Sequence, residues 1–208
     1  ASVKIEPSDK PSNDNLENVE WLIEDFAIAI IPSVYSYVGL ESSNEKSFDG
    51  LNSFLGIGNP TLSGSEVVFK SDDANNPAKF YMNSAPAHTA YPTKQVTKAD
   101  ANKIELGSLE TANHRTVNQM IIGGIVTTCQ LQMGMTELKI GSVWNTMPAH
   151  VHDRRMEIYY YMDIMDQQAV CHFMGEPQET RHIWMQNHEA VISPPWSIHS
   201  GSGTSNYT

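Results

Sequence analysis

The sequence predicts an all-β fold, and three observations support this prediction. From residue 117 onward, short segments rich in β-branched and aromatic residues alternate with turn residues at regular intervals. This pattern is typical of a β-sandwich or a small barrel. Apolar residues make up 40% of the 208 positions, which is enough for a substantial core. Apolar residues at helical spacing are confined to one short stretch, so few and short helices are expected.

The first part of the chain has the weakest pattern. Leu16, Val19, Leu22 and Ile23 recur at helical spacing, which predicts one short helix within residues 15–26. The β-branched and aromatic content that follows predicts strands. These predicted strands span residues 27–38, 66–70 and 78–83, with a short strand near 51–55 inside the Gly- and Ser-rich loop 44–64.

The remaining elements are clearer. Residues 97–116 are polar and predict a connection with a helical turn at 98–103. Strands are then predicted over 117–125, 129–135, 136–140, 157–165, 169–174, 179–185 and 189–193. The predicted organisation is an N-terminal half (1–96), a connecting segment (97–125) and a C-terminal metal-binding half (126–208).

Charge and cysteine content exclude several classes of function. The net charge is −11, and residues 1–50 alone carry ten acidic and three basic side chains. Phosphate backbones require clustered Lys and Arg, so nucleic acid is not an expected partner. The longest apolar run, 26–32, is far shorter than the roughly 20 residues that cross a bilayer. With no visible signal peptide, the expected location is the cytoplasm, and Cys129 and Cys171 are expected to be buried free thiols.

The last third of the chain contains the strongest functional signal. Six of the eight histidines lie between positions 150 and 199. His150 and His152 are two residues apart, and Glu157 begins the next predicted strand. His199 follows a proline turn at 194–195. Side chains at i and i+2 of a strand share a face, so both histidines of the pair can reach one ion.

These four residues predict a metal centre. Three imidazoles and a carboxylate suit zinc, which is favoured over iron or manganese. The order H-x-H, then E, then a distant H after a proline turn is the ligand pattern of the cupin β-barrel.

At these residues the chain closely resembles one cupin family, 5-keto-4-deoxyuronate isomerase, also called 4-deoxy-L-threo-5-hexosulose-uronate ketol-isomerase. The resemblance covers roughly residues 77–208, and residues 1–76 match poorly. The matching stretches are 77–81 (PAKFY), 85–94 (APAHTAYPTK), 128–134 (TCQLQMG), 144–148 (WNTMP), 152–157 (HDRRME), 174–182 (MGEPQETRH), 190–194 (AVISP) and 196–201 (WSIHSG). Either the sequence lacks pieces of a longer protein, or it is a reduced relative with a divergent or incomplete first cupin half.

The resemblance implies a bicupin β-sandwich of jelly-roll barrels with one zinc ion per chain. The positions that match the family's ligands are His150, His152, Glu157 and His199. It also implies an aldose–ketose isomerase that converts 5-dehydro-4-deoxy-D-glucuronate to 3-deoxy-D-glycero-2,5-hexodiulosonate in the degradation of pectin and other uronates. The implied assembly is a homo-oligomer such as a hexamer.

Such a reaction needs a proton-transfer group and a carboxylate-binding group. Glu179 and His182 are the candidates for proton transfer, against the alternative that they are surface or structural residues. The candidates for substrate binding are Arg154, Arg155 and Arg181 for the carboxylate, and Tyr159 and Tyr161 for hydroxyl groups. The alternatives are solvated surface arginines and core tyrosines.

Two other classes of function remain open. One is a non-catalytic cupin that binds a sugar acid or serves as a structural subunit. The other is another cupin enzyme such as an iron dioxygenase, although that chemistry usually leaves open coordination positions. Metal identity and uronate turnover separate these hypotheses.

Overall fold

A computed structural model provides the structure of the chain. It describes residues 94–208 without interruption; before them it describes 2–5, 21–22, 26–33, 36–40, 46–48, 55–58, 66–71, 79–86, 89 and 91–92. All regular elements in these residues are strands, which confirms the all-β prediction. The described part of the chain holds no helix long and apolar enough to cross a bilayer.

The described residues before position 100 contain nine strands. They are β1 (Ser2–Ile5), β2 (Trp21–Leu22), β3 (Phe26–Ser33), β4 (Ser36–Leu40), β5 (Lys46–Phe48), β6 (Leu55–Gly58), β7 (Glu66–Ser71), β8 (Lys79–Pro86) and β9 (Lys94–Thr97).

Nine more strands follow. They are β10 (Asn102–Leu106), β11 (Arg115–Ile121), β12 (Met133–Leu138), β13 (Trp144–His150), β14 (Glu157–Tyr161), β15 (Val170–Glu176), β16 (Glu179–Met185), β17 (Glu189–Ser193) and β18 (His199–Gly203). Strands β10, β11 and β12 form a three-stranded sheet in that order.

The chain divides into two compact units. The first comprises Ala1–Asn102 and Gln119–Gly134, and the second comprises Lys103–Asn118 and Met135–Thr208. The first unit contains a five-stranded sheet of order β2-β1-β7-β4-β5 and the antiparallel pairs β3-β8 and β6-β9. Its described core is formed by apolar side chains, namely Val96, Met120, Ile121 and Val126.

The second unit contains the residues that the sequence singled out. Its four-stranded sheet has the order β13-β18-β15-β16, and β14 pairs with β17 in a separate ladder. The core of this unit is a cluster of buried apolar and aromatic side chains, comprising Leu138, Tyr161, Ile164, Val170, Met185, Val191 and Tyr207. Burial of this apolar surface is the main stabilising contribution to such a sheet packing.

Several strand predictions are confirmed, some to the residue. Strands β16 and β17 have the predicted bounds, and β7 and β15 differ from theirs by one or two residues. Runs of β-branched and aromatic residues bounded by turn residues are a local signal, which is why these bounds could be predicted.

Other predictions were wrong. The predicted helix at 15–26 contains β2, whose residues Trp21 and Leu22 pair with Val3 and Ser2 of β1. Pairing with a distant strand overrides a weak helical periodicity. The predicted polar connection 97–116 contains all of β10, preceded by a turn in which the backbone N–H of Asp100 donates to the carbonyl of Thr97.

The cysteines follow the prediction in part. Both are free thiols, and Cys171 is buried, but Cys129 is only half-buried. The Cys129 Sγ donates to the Thr89 carbonyl oxygen at 3.3 Å. The division into 1–96, 97–125 and 126–208 and the bicupin arrangement stay predictions.

Candidate metal centre

The four predicted ligands lie at three strand ends and one turn of the second unit. His150 is the last residue of β13 and His199 is the first residue of β18. Glu157 is the first residue of β14, where it pairs with Ser193 of β17. His152 lies beyond the end of β13. The prediction that His150 and His152 share one face of a strand is therefore wrong, and another contact must orient His152.

An irregularity in the pairing of β13 with β18 brings His150 beside His199. Asn145 pairs with Gly201, but the next pair is His150 with His199, so β13 advances five residues while β18 advances two. Regular antiparallel pairing would instead place Met147 opposite His199. The extra residues bulge from the ladder, as is common next to functional sites.

A contact between two turns positions His152. Its backbone N–H donates to the carbonyl of Pro195 at 3.1 Å. The backbone N–H of Ser197 donates to the carbonyl of Pro194 at 3.0 Å, so the predicted proline turn is present. The turn after β13 is thereby held against the turn before β18.

The three histidine rings converge. The ring centroids of His150 and His199 are 4.5 Å apart, those of His150 and His152 are 4.8 Å apart, and those of His152 and His199 are 5.0 Å apart. One nitrogen from each ring lies within 4.8 Å of the other two. Nitrogens bound to one zinc ion are separated by at most about 4 Å. Small side-chain rotations would therefore bring all three onto one ion.

The hydrogen bonding of His150 sets its tautomer. Its Nδ1 lies 3.0 Å from the carbonyl oxygen of Pro148. A carbonyl can only accept, so Nδ1 carries the proton and the neutral ring keeps its free electron pair on Nε2. A backbone carbonyl on the far nitrogen is the usual support of a metal-binding imidazole.

His199 is the most enclosed member of the group. Only 2% of its side-chain surface is exposed. Burial lowers the pKa of His199, and although Glu157 opposes this effect, the nearby His150 and His152 reinforce it. The ring is therefore held in the neutral form that binds metals.

Glu157 is the centre of a hydrogen-bond network. Its Oε1 lies 2.9 Å from His152 Nε2 and accepts from Arg155 Nε at 2.9 Å. Its Oε2 accepts from the Tyr159 hydroxyl at 2.6 Å and lies 3.5 Å from His199 Nε2. Burial alone would raise the pKa of Glu157, but the Tyr159 hydrogen bond and the neighbouring His199, Arg155 and His152 lower it below its ordinary value. The side chain is accordingly a carboxylate.

The donor set fits a divalent metal of intermediate softness. Three imidazole nitrogens and one carboxylate oxygen are ligands that zinc takes. His150, His152 and His199 could hold such an ion. Glu157 lies against two of them and would complete a four-ligand set.

Behind the histidines lies an inner wall of three aromatic side chains, Tyr159, Tyr161 and His172. The ring of Tyr159 lies 5.3 Å from that of His172 and 5.5 Å from that of His199, centroid to centroid. Tyr161 bonds through its hydroxyl to His172 Nδ1 at 2.7 Å. Burial raises the pKa of both tyrosines and lowers that of His172 to about 4, so all three are neutral at physiological pH.

The two adjacent arginines differ in their contacts. Arg155 is more than half exposed, with Nη2 2.9 Å from Glu157 Oε1 and 3.0 Å from His152 Nε2. Arg154 is exposed to solvent. Of the two, Arg155 is the cation that contacts the ligand cluster.

The remaining predicted site residues lie on β16. Glu179, Arg181 and His182 are all exposed, and β16 is the edge strand of its sheet. The ring of His182 contacts that of Trp184 at 6.5 Å. Among the described residues, no hydrogen bond, ion pair or ring contact joins these three side chains to the four-ligand cluster.

Two features of the site had no counterpart in the sequence analysis. His172 was not among the predicted site residues, yet it is fully buried and belongs to the inner wall. Its position between Val170 and Met174 on an alternating strand was the available signal. The hydrogen bond from Tyr159 to Glu157 is an i, i+2 contact on β14, which the shared face of the two residues permits.

Comparison with known protein families gives one match that covers most of the chain. Residues 62–208 match the KduI/IolB family.

Curated relatives with the same name are found in several bacteria. The chain is 81% identical over 155 residues to the 4-deoxy-L-threo-5-hexosulose-uronate ketol-isomerase of Formosa agariphila, covering 74% of this chain and 54% of the relative. It is 63% identical over 142 residues to ketol-isomerase 1 of Bacteroides thetaiotaomicron, covering 68% of this chain and 51% of the relative. It is 57% identical over 160 residues to the ketol-isomerase of Lachnoclostridium phytofermentans, covering 77% of this chain and 55% of the relative. The chain thus spans about half the length of these relatives.

Proposed function

This chain belongs to the KduI/IolB family, and from that premise we propose that it is a zinc-dependent ketol-isomerase of uronate degradation. The convergence of His150, His152 and His199 beside the Glu157 carboxylate is the observation that carries the proposal. The relatives' shared name supports the reaction class.

The proposed substrate is 5-dehydro-4-deoxy-D-glucuronate and the product is 3-deoxy-D-glycero-2,5-hexodiulosonate. In an aldose–ketose rearrangement, a proton leaves the carbon next to a carbonyl and another is added to the former carbonyl carbon. The protein must therefore bind two neighbouring oxygens, move a proton between adjacent carbons and hold the substrate carboxylate.

His150, His152, Glu157 and His199 would hold the metal. When bound, a divalent ion supplies Lewis acidity toward the substrate's carbonyl and hydroxyl oxygens. Burial keeps His199 neutral, and the Pro148 carbonyl keeps the Nε2 of His150 free. These interactions hold the ligands in a binding-competent form before any ion arrives.

Arg155 is the proposed carboxylate-binding residue. It is more than half exposed, and its guanidinium already binds a carboxylate, that of Glu157. A guanidinium grips carboxylates through two parallel hydrogen bonds. Arg154, which precedes it and is also exposed, is the proposed second contact, whereas Arg181 lies on the edge strand β16.

Proton transfer remains assigned to Glu179 and His182 as a proposal from the sequence. Both are exposed on β16, where a substrate or another subunit can reach them. Tyr159 and Tyr161 are weaker candidates for substrate contact than the sequence predicted, because both hydroxyls are already bonded, one to the Glu157 carboxylate and the other to the buried His172. A homo-oligomeric assembly in the cytoplasm also remains part of the proposal.

The proposal is tested by incubating the zinc-loaded full chain with 5-dehydro-4-deoxy-D-glucuronate and following the product by NMR. Parallel samples contain a chelator, a chelator followed by excess zinc, or iron or manganese in place of zinc. We expect turnover that the chelator stops and zinc restores.

A His152→Ala variant serves as the matched control and should lose both metal and turnover. No turnover from folded, zinc-loaded protein would overturn the isomerase proposal and favour a sugar-acid-binding or structural role. Restoration by iron or manganese but not by zinc would overturn the choice of metal.

A further inference from the structure

We propose that Tyr159 is the positioning residue of the metal centre: its hydroxyl holds the Glu157 carboxylate in the orientation that presents Oε1 to the ion. The inference rests on the proposed metal site and deepens it. It also replaces the predicted role of Tyr159 as a substrate contact.

The direction of the hydrogen bond follows from the chemistry of the two groups. The Tyr159 hydroxyl lies 2.6 Å from Glu157 Oε2. A carboxylate has no proton to donate, so the phenol donates. Hydrogen bonds to a charged acceptor are short and roughly twice as strong as those between neutral groups. Tyr159 therefore holds Oε2, while Oε1 faces His152 and accepts from the exposed Arg155.

The ring of Tyr159 is itself held in place by three neighbours. Its centroid lies 5.5 Å from that of His199, 5.3 Å from that of His172 and 6.5 Å from that of Tyr161. A side chain enclosed by rings on several sides has few accessible rotamers. Tyr159 thus links the position of the carboxylate ligand to that of the buried histidine ligand.

The other two members of the inner wall, His172 and Tyr161, are bonded to each other. His172 is fully buried, and its Nδ1 bonds to the Tyr161 hydroxyl at 2.7 Å. Both rings lie next to that of Tyr159. Within the described part of the chain, neither side chain hydrogen-bonds to a predicted ligand, which makes Tyr161 a matched control for Tyr159.

The test compares Tyr159→Phe with Tyr161→Phe in the full chain. Both variants remove one hydrogen-bonded hydroxyl from the same face of β14, and both keep the aromatic ring. The zinc dissociation constant is measured by competition with a chromophoric chelator, and the site geometry by the visible spectrum of the Co²⁺-substituted protein. Circular dichroism verifies that each variant is folded.

We expect Tyr159→Phe to weaken zinc binding by about 10- to 100-fold, the range seen when a partner of a metal ligand is removed. The Co²⁺ spectrum should shift because the carboxylate is no longer held. Tyr161→Phe should leave the zinc dissociation constant within about threefold of the wild-type value.

A double-mutant cycle separates positioning from a general structural effect. In a Glu157→Ala background, Tyr159→Phe should cause no further loss of zinc affinity, because the group it positions is absent. Equal losses with and without Glu157, or unchanged affinity in Tyr159→Phe, would overturn the inference.

Turnover measured on the same samples keeps this test distinct from that of the proposed function. Weakened zinc binding in Tyr159→Phe supports the inference even if the wild type does not isomerise the uronate. Unchanged binding overturns it even if the wild type does. A wild-type chain that binds no zinc would overturn the inference together with the metal site on which it rests.

Discussion

His150 and His199 lie opposite each other on antiparallel strands, with ring centroids 4.5 Å apart, because the ladder between β13 and β18 shifts register before it reaches them. One ring is exposed and the other is buried. These two predicted metal ligands therefore extend from the solvent-facing side of the site to its buried side.

Removal of His199 should abolish metal binding. His199→Ala deletes the buried nitrogen of the group and leaves two imidazoles and one carboxylate. Water would then have to fill the fourth position of a four-coordinate zinc site, and the ion would be bound much more weakly. We expect His199→Ala to hold almost no zinc after dialysis, measured by inductively coupled plasma mass spectrometry. His182→Ala is the control: that histidine is exposed on β16 and should leave the zinc content unchanged. Full zinc content in His199→Ala would remove His199 from the site.

Arg155→Ala should weaken substrate binding and strengthen zinc binding. The guanidinium lies 3.0 Å from His152 Nε2 and 2.9 Å from Glu157 Oε1, so its positive charge opposes a divalent ion at those atoms. Loss of a charge-assisted hydrogen bond costs about 1.5–3 kcal/mol, which corresponds to a KM increase of about 10- to 100-fold. Steady-state kinetics and zinc titration measure the two effects. Arg154→Ala provides the comparison, and an unchanged KM in Arg155→Ala would assign the carboxylate to another residue.

His172 should make the protein less stable as the pH falls. The pKa of this fully buried imidazole is lowered from 6.5 to about 4, so the unfolded chain takes up its proton at a higher pH than the folded chain. The stability associated with the neutral ring is therefore complete above pH 6.5 and is lost as the pH falls through 4. From about 1.4 kcal/mol per pKa unit, the loss is on the order of 3 kcal/mol.

A His172→Gln variant isolates this contribution. Glutamine can still bond to the Tyr161 hydroxyl but does not titrate, so its free energy of unfolding should depend less on pH between 6.5 and 4. Urea unfolding of both proteins at several pH values gives the difference. If the free energies of unfolding of the two proteins depended on pH in the same way, His172 would not titrate in this range.

Gly201→Ala should destabilise the second unit. A Cβ at Gly201 would lie 3.0 Å from the hydroxyls of Tyr161 and Tyr207 and 3.2 Å from the carbonyl oxygen of Asn145. Overpacking of this kind costs roughly 1–3 kcal/mol, which exceeds the stabilisation of about 0.4–1 kcal/mol from restricting the unfolded chain. Thermal unfolding should show a lower Tm.

Two variants test the steric cause of this loss. Gly123→Ala is the control, because nothing lies within 4 Å of a Cβ at that position. Addition of Tyr161→Phe to Gly201→Ala removes one of the crowding oxygens and should recover part of the loss. A Tm for Gly201→Ala at or above that of the wild type would show that the surrounding groups move aside at little energetic cost.

Local sequence patterns were sufficient to predict many of the strands in the second unit. The alternation along β14 by itself predicts that Glu157, Tyr159 and Tyr161 share one face, and the hydrogen bond between the first two agrees with that face. The bounds of β16 and β17 were predicted to the residue. Such features depend on the side-chain period of a strand, which is written in consecutive residues.

The contacts between distant strands could not be predicted in this way. The register shift between Asn145 and His150 depends on how β13 fits against β18, about fifty residues later in the chain. The same holds for β2, where pairing with β1 overrides a helical pattern. Long-range pairing is selected by the packing of the whole sheet, and its register leaves little trace in a short window of sequence.

For the candidate site, too, some features follow from the sequence and others only from the tertiary structure. The types and order of the metal-binding residues, and their resemblance to an isomerase family, follow from the sequence, because ligand chemistry belongs to individual side chains. Only the tertiary structure decided that Tyr159 engages one oxygen of Glu157, that Arg155 lies against the other, and that Glu179 and His182 stand apart on an edge strand. Which oxygen each side chain engages depends on side-chain conformation, and the separation of Glu179 and His182 from the site depends on how the strands pair. Both are decided only once the chain has folded.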